Sequence, residues 1–296
     1  MKNYLFIGLL LSTGFACAGF DQASEVFKNG DSKKALIGFK NHTEQEYASA
    51  QVLLALIYSD DQGVLQDEEE GLKAQRKAAE QGDAHTQLKL GIIYENGRGV
   101  PQDYKEAAKW YRKAAEQGIA TAQFNMGRVY EKGRGVTQDY KEAIKWYRMA
   151  AEQGIVSAQF NLGIIYENGR GVPQDYNEAA KWYRMAAEQG YVSAQSNLGV
   201  MYHHGRGVPQ DYQEAAKWYR MAAEQGGASA QFNLGVLYVN AQGFPQDYIL
   251  AYMWWNLAAA GGVESAAKLS ELIAKKMTPA QITEALKLAR EWKARH

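Results

Sequence analysis

Apolar and polar positions along this chain recur with a period of 36 residues, and each period holds two helical patterns joined by turns. Segments beginning at Ala122, Ala158 and Ala194 repeat Gly127/Gly163/Gly199, Tyr130/Tyr166/Tyr202, Asp139/Asp175/Asp211, Trp146/Trp182/Trp218 and Gly154/Gly190/Gly226. A fixed period of this length marks a stack of like modules, each burying its apolar face against its neighbours. Within one module, Ala122, Met126, Val129 and Tyr130 share one helical face, which predicts a first helix over Ala120–Lys132. Gly133 stands where a helix ends in left-handed geometry, a conformation that glycine adopts at least cost. The turn Gly133-Arg134-Gly135-Val136 has counterparts beginning at Gly97, Gly169 and Gly205, and Pro101, Pro173 and Pro209 follow three of the four.

The second helix opens on an acidic cap. Asp103/Glu106, Asp139/Glu142, Asp175/Glu178, Asp211/Glu214 and Asp67/Glu70 have the spacing of a capping box, in which both side chains satisfy orphan backbone donors. A carboxylate there also complements the positive end of the helix dipole. Ala107, Trp110, Ala114 and Gly118 lie along one line, and Tyr104, Ala108, Tyr111 and Ala115 along the next. The resulting stripe is wide enough for a helix packed on more than one side, with Ala admitting close approach and the rings filling the gaps. Glu106/Lys109 and Arg112/Glu116 fall three and four apart, the spacing of a solvated face.

The N-terminus follows a different pattern. Lys2 precedes an apolar run from Leu5 to Ala18 that ends in Ala16-Cys17-Ala18, so residues 1–18 read as a cleaved export signal. A lipoprotein acylated on Cys17 is disfavoured by the Gly14-Phe15-Ala16 context. Cys17 is the only cysteine, so cleavage after Ala18 leaves a chain without disulfides, stabilised by packing alone. The expected location is the periplasm or the exterior. Basic and acidic residues balance at 33 each, which gives no reason to expect a nucleic-acid partner. No later stretch is apolar and long enough to predict a transmembrane segment.

The pattern of Ala158-Gln159-x-Asn161-Leu162-Gly163-x-x-Tyr166, then Gly169-x-Gly171-Val172-x-x-Asp175, then Ala179-x-x-Trp182-Tyr183-Arg184-x-Ala186-Ala187-Glu188-Gln189-Gly190, resembles the Sel-1-like repeat family, a relative of the tetratricopeptide repeats. The resemblance covers residues ~48–270 and implies an all-α, right-handed α/α superhelical solenoid of antiparallel helix pairs that acts as an adaptor or scaffold. The expected organisation is a degenerate cap unit at 19–47, six repeats at 48–263 and capping helices at 264–296. The unit from Ala50 departs most, with Ala55 for the helix glycine and Ala74 for the tryptophan. Thr278-Pro279-Ala280-Gln281 predicts a last helix with its own cap and Pro at the first helical position.

By analogy with related helix-pair repeats, the first helices line a concave groove. Its lining is then Thr121, Phe124, Arg128, Glu131, Lys132 and their equivalents. The Phe124 position becomes Val52, Leu88, Phe160, Ser196 and Phe232, and the Arg128 position becomes Leu56, Ile92, Ile164, Val200 and Val236. Leu88, Phe124, Arg128, Phe160 and Phe232 are thus candidate contacts for an extended peptide or an amphipathic helix; the bland reading is that the phenylalanines fill contacts between adjacent first helices. Arg98, Arg134, Arg170 and Arg206, one per turn, form a second candidate, an edge for an anionic polymer such as an envelope glycan or a peptidoglycan fragment. They are equally able to pair with Glu95, Glu131 and Glu167 or to face water.

No catalytic residue, cofactor or metal is expected. His203-His204 sits at a helix end without an acidic or cysteine cluster. Related helical repeats read as penicillin-binding or β-lactamase-like carry paired cysteines in each unit, and this chain does not. Ser265-Ala266-Ala267-Lys268 matches Ser-x-x-Lys, but Ser265 holds the repeat position of Ser157, Ser193 and Ser229, and no Lys-Thr-Gly follows.

Overall fold

The structure, a computed structural model, describes residues 25–26 and 68–295. The expectations for the export signal, the cap unit, the first helix of the first repeat and Asp67 lie outside the described residues. The chain divides into two units, 1–139 and 140–296. From residue 68 onward it forms thirteen helices. The first unit holds α1 (Glu68–Glu80), α2 (Ala84–Asn96), α3 (Tyr104–Glu116) and α4 (Ala120–Lys132). The second holds α5 (Tyr140–Glu152), α6 (Val156–Asn168), α7 (Tyr176–Glu188), α8 (Val192–His204), α9 (Tyr212–Glu224), α10 (Ala228–Val239), α11 (Tyr248–Ala260), α12 (Glu264–Ala274) and α13 (Pro279–Arg295). Up to α11, even numbers are first helices and odd numbers second helices; within each unit successive helices pack on one another as far as α12, and α13 packs on α11. The architecture is all-α, built of sequential helix pairs.

Local chemistry sets the boundaries. Gly97, Gly133, Gly169 and Gly205 end their first helices with φ between 65° and 67°, in the left-handed region. Asp103 accepts from the backbone N–H of Lys105 at 2.8 Å and of Glu106 at 3.1 Å, and Asp175 and Asp211 do the same at α7 and α9. At these three caps the other arm of the expected capping box is not made. The backbone N–H of Asp103 donates instead to the Tyr94 carbonyl at 2.9 Å, as those of Asp175 and Asp211 do to Tyr166 and Tyr202. With that donor satisfied by the preceding helix, Glu106 pairs with Lys109 at 3.2 Å, and Glu178 and Glu214 pair with Lys181 and Lys217. A full reciprocal box is made at α13, where Thr278 N–H donates to Gln281 Oε1 at 2.8 Å and Gln281 N–H to Thr278 Oγ1 at 3.3 Å.

The second helices bury Ala and aromatic side chains in turn; α7 buries Ala179, Ala180, Trp182, Tyr183, Ala186 and Ala187. Against this core lies a row of buried glutamines. Gln195 Nε2 donates to the Ala187 carbonyl at 3.1 Å, near the end of α7, while its Oε1 accepts from Gln225 Nε2 at 2.9 Å. Gln159 holds the same place between Ala151 and Gln189, and Gln87 between Ala79 and Gln117. Each glutamine satisfies a terminal carbonyl of the preceding second helix and links it to the next module. Gln195→Leu removes two hydrogen bonds of a buried side chain, but the Ala187 carbonyl keeps the Gly190 N–H at 2.9 Å and the exposed Gln225 amide keeps the Met221 carbonyl at 3.3 Å, so it is expected to destabilise the second unit by only about 1 kcal/mol, measurable by urea denaturation.

Candidate functional site

The first helices carry apolar residues on faces that the second helices do not fully cover. In the first unit Leu88, Ile92, Phe124 and Arg128 are half-buried, and Thr121 and Lys132 are exposed. In the second unit Phe160, Ile164, Ser196, Val200, Phe232 and Val236 are half-buried at the equivalent positions. Each phenylalanine is anchored on one side. The Phe160 ring lies 5.7 Å from Tyr183 and 4.9 Å from Tyr191, centroid to centroid. Phe232 lies 6.3 Å from Trp255, whose indole N–H donates to the Phe232 carbonyl at 2.9 Å. The Arg128 guanidinium lies 6.0 Å from the Phe124 ring centroid. These side chains therefore brace the module, and their half-burial leaves part of their apolar surface exposed.

Beside this face runs a polar series that the first helices end on. Tyr111 donates its hydroxyl to Glu95 at 2.5 Å, and Tyr183 donates to Glu167 at 2.5 Å. Burial, and then the hydrogen bond to the carboxylate, push both phenols well above their ordinary range. Glu95 also meets Arg128 at 3.5 Å and Arg134 at 3.9 Å. The space enclosed by Glu95, Tyr104, Tyr111, Arg128 and Arg134 is about 10 Å³, room for about one water, so this cluster is packed ionic structure and not a ligand pocket.

In the fifth period His203 replaces the glutamate of this series. Its ring stacks on His204 at 4.6 Å and meets Tyr212 and Tyr219 edge-on at 5.4 Å and 6.4 Å. Burial, and then the charge of His204, lower its pKa from the ordinary 6.5. The unfolded chain therefore takes up this proton first. The contribution of His203 to stability is complete above about pH 6.5 and declines as the pH falls through that value towards the lowered one. His203→Glu restores an acceptor at the position that holds Tyr111 and Tyr183 elsewhere. It is expected to stabilise the unit at pH 7 by about 1 kcal/mol, raising Tm by about 2–4 °C, and to remove this part of the acid sensitivity in melts from pH 7 to 5. Among the described residues no group of three or more His, Cys, Asp or Glu side chains is placed to hold a metal. Ser265 and Lys268 are both exposed on α12.

Arg98, Arg134, Arg170 and Arg206 are exposed, as the sequence implies. Arg134 lies 5.5 Å from the Tyr104 ring centroid and Arg206 lies 5.9 Å from that of Tyr176, so these two clip each turn to the start of the preceding second helix. A second arginine series escaped the sequence reading. Arg76, Arg112, Arg148, Arg184 and Arg220 donate to the hydroxyls of Tyr94, Tyr130, Tyr166, Tyr202 and Tyr238 over 2.5–3.2 Å, each bond spanning 18 residues. The recurring Arg–Tyr offset is the available signal; helical spacing alone pairs Arg112 with Glu116.

Six consecutive segments, 48–83, 84–119, 120–155, 156–191, 192–227 and 228–263, match the Sel1 repeat. The chain belongs to the Sel1 repeat family. Its helix pairs are those of an α/α solenoid, and it is a repeat scaffold. A Sel1 repeat protein from Oxalobacter formigenes is 34% identical, over 83% of this chain and 99% of that one, with a TM-score of 0.68. A protective antigen present in uropathogenic Escherichia coli strains, with an SLR fold, is 30% identical over 87% of this chain, with a TM-score of 0.58. The present chain spans 63% of that antigen. No curated protein matches the sequence. No helix among the described residues is long and apolar enough to cross a membrane.

Proposed function

We propose that this Sel1 repeat protein is an exported bacterial adaptor that holds a peptide or an amphipathic helix of a protein partner on its first-helix face. The half-burial of Phe160, Ile164, Val200, Phe232 and Val236 supports this reading. Their inner sides are fixed by the module, so apolar anchors are presented without the entropy cost of ordering them on binding. The residues at these positions change between repeats while the Gly, Tyr and Trp framework does not, as a recognition surface on a constant scaffold requires. Export is supported by the charged, apolar and small-residue succession of residues 1–18. The likeness to a protein named as a protective antigen points the same way, towards a chain met outside the cytoplasm.

Capture from an envelope extract tests the reading. The chain lacking residues 1–18 is expected to retain its partner at about 0.5 M salt, where charge interactions are screened within about 4 Å. A Phe160→Ala/Phe232→Ala variant, shown by circular dichroism to be folded, is expected to lose it. Equal capture by the variant, or release by salt alone, defeats the proposal. N-terminal sequencing of the envelope protein is expected to begin at Gly19.

A further inference from the structure

The last module breaks the pattern in a way that opens a cleft. Asn256 stands where earlier modules carry Arg76, Arg112, Arg148, Arg184 and Arg220, and 18 residues on Ala274 stands where Tyr238 would be. The arginine–tyrosine clamp is thus missing at α11. Helix α13 leans on α11, with Trp292 meeting Trp254 edge-on at 6.1 Å. Beside Asn256 the two helices leave a cleft of about 270 Å³. Leu257, Leu286 and Ala289 contribute apolar surface, and Thr283, Arg290 and Lys293 complete the lining with Asn256.

The chemistry of this lining is directional. Arg290 and Lys293 have no ion-pair partner among the described residues, whereas Lys287 on the same helix lies 3.9 Å from both Glu284 and Glu291. Two cations beside one cleft favour an anion, and an arginine favours a carboxylate that it can grip with two N–H groups. The uncharged polar groups ask for the opposite. The Asn256 amide N–H₂ donates to the Tyr252 carbonyl at 3.2 Å and the Thr283 hydroxyl to the Pro279 carbonyl at 2.9 Å, which leaves both residues offering acceptor oxygens. A ligand that satisfies the whole lining carries a carboxylate, an apolar group and an N–H donor within a short span. The volume lies just under the roughly 300 Å³ at which pockets for whole small molecules begin.

We propose that this cleft binds the C-terminal residue of a peptide. The terminal carboxylate sits with Arg290 and Lys293, an apolar last side chain rests on Leu257 and Leu286, and the last backbone N–H donates to Asn256 or Thr283. The site is lined by α11 and α13 and does not depend on the function proposed for the first helices.

Calorimetric titration of the full chain with N-acetyl-glycyl-leucine as the free acid tests the assignment, with its C-terminal amide and octanoate as comparisons. The free acid is expected to bind. The amide is expected to bind at least about tenfold more weakly, since it lacks the charge. Octanoate, which has the carboxylate and apolar chain but no N–H, is expected to be weaker than the peptide acid. Arg290→Gln/Lys293→Gln, at two exposed positions, is expected to abolish binding without changing the melting temperature, and Phe160→Ala/Phe232→Ala to leave it intact. Binding of the amide as tightly as the acid, binding unchanged in the Arg290/Lys293 variant, tighter binding of octanoate, or no binding of the acid at millimolar concentration would overturn it.

Discussion

Tyr183→Ala is expected to destabilise the second unit by about 3–5 kcal/mol, enough to lower its Tm by roughly 10 °C. Three losses add at this residue. The ring has 0% exposure, so its removal forfeits a full aromatic burial and leaves a void. The void lies against Gly163, where a Cβ would stand 2.4 Å from the Tyr183 ring, so the ring fills a space that the glycine keeps clear and alanine at 183 cannot. The hydroxyl donates to Glu167, and that carboxylate loses its donor. Tyr183→Phe isolates the last of these and is expected to cost about 1.5–3 kcal/mol, as a hydrogen bond to a charged group does. In a stack stabilised by nearest neighbours, the loss reaches α6 and α8 together. Urea denaturation of both variants checks the pair, and a cost below about 1 kcal/mol for Tyr183→Ala would refute the packing account.

The Gly163–Tyr183 pair also shows where the sequence is legible and where it stops. The period exposed both residues as recurring, and helix ends such as Gly133 and Asp103 followed from their own chemistry. That chemistry is local: a left-handed φ or a side-chain cap involves only a few successive residues. What each constant residue touches was not legible, because those contacts join positions 18 to 35 residues apart across a turn and a neighbouring helix. The helix glycine of α6 is a socket for a tyrosine ring, Gln195 ties two modules, and the arginine of each second helix before α11 grips a tyrosine of the next first helix. The failed half of the capping box has the same origin. Spacing alone could not reveal that the Tyr94 carbonyl reaches the Asp103 N–H before the Glu106 side chain does. For the candidate site, the sequence picked out the varying apolar positions on the first helices. Their half-burial depends on how closely the second helices approach, which is set by glycine and alanine positions elsewhere in the module. The cleft beside Asn256 was not foreseen, since it arises from a departure in the last module and from the way α13 leans on α11.

Gly207→Ala is expected to cost about 3 kcal/mol, more than a turn glycine ordinarily would, because it carries two burdens at once. Its φ of 67° lies in the left-handed region, where a Cβ is strained by about 1 kcal/mol. A Cβ there would also stand 2.0 Å from the Tyr176 carbonyl oxygen and 2.2 Å from its carbon, both backbone atoms at the start of α7. No rotamer change relieves that overlap; the turn must lift off the preceding module. Lifting it also separates Arg206 from the Tyr176 ring, which now lies 5.9 Å away. Gly226→Ala supplies the comparison, since Gly226 has φ of 83° and nothing within 4 Å of its added Cβ. It bears the strain without the overlap and is expected to cost about 1 kcal/mol. The excess at Gly207, read from the two variants' urea midpoints at constant slope, measures how tightly one module must sit on the next. Equal costs at the two sites would mean that the turn is free to move away from α7, and that the second glycine of each Gly-x-Gly turn serves only its own backbone.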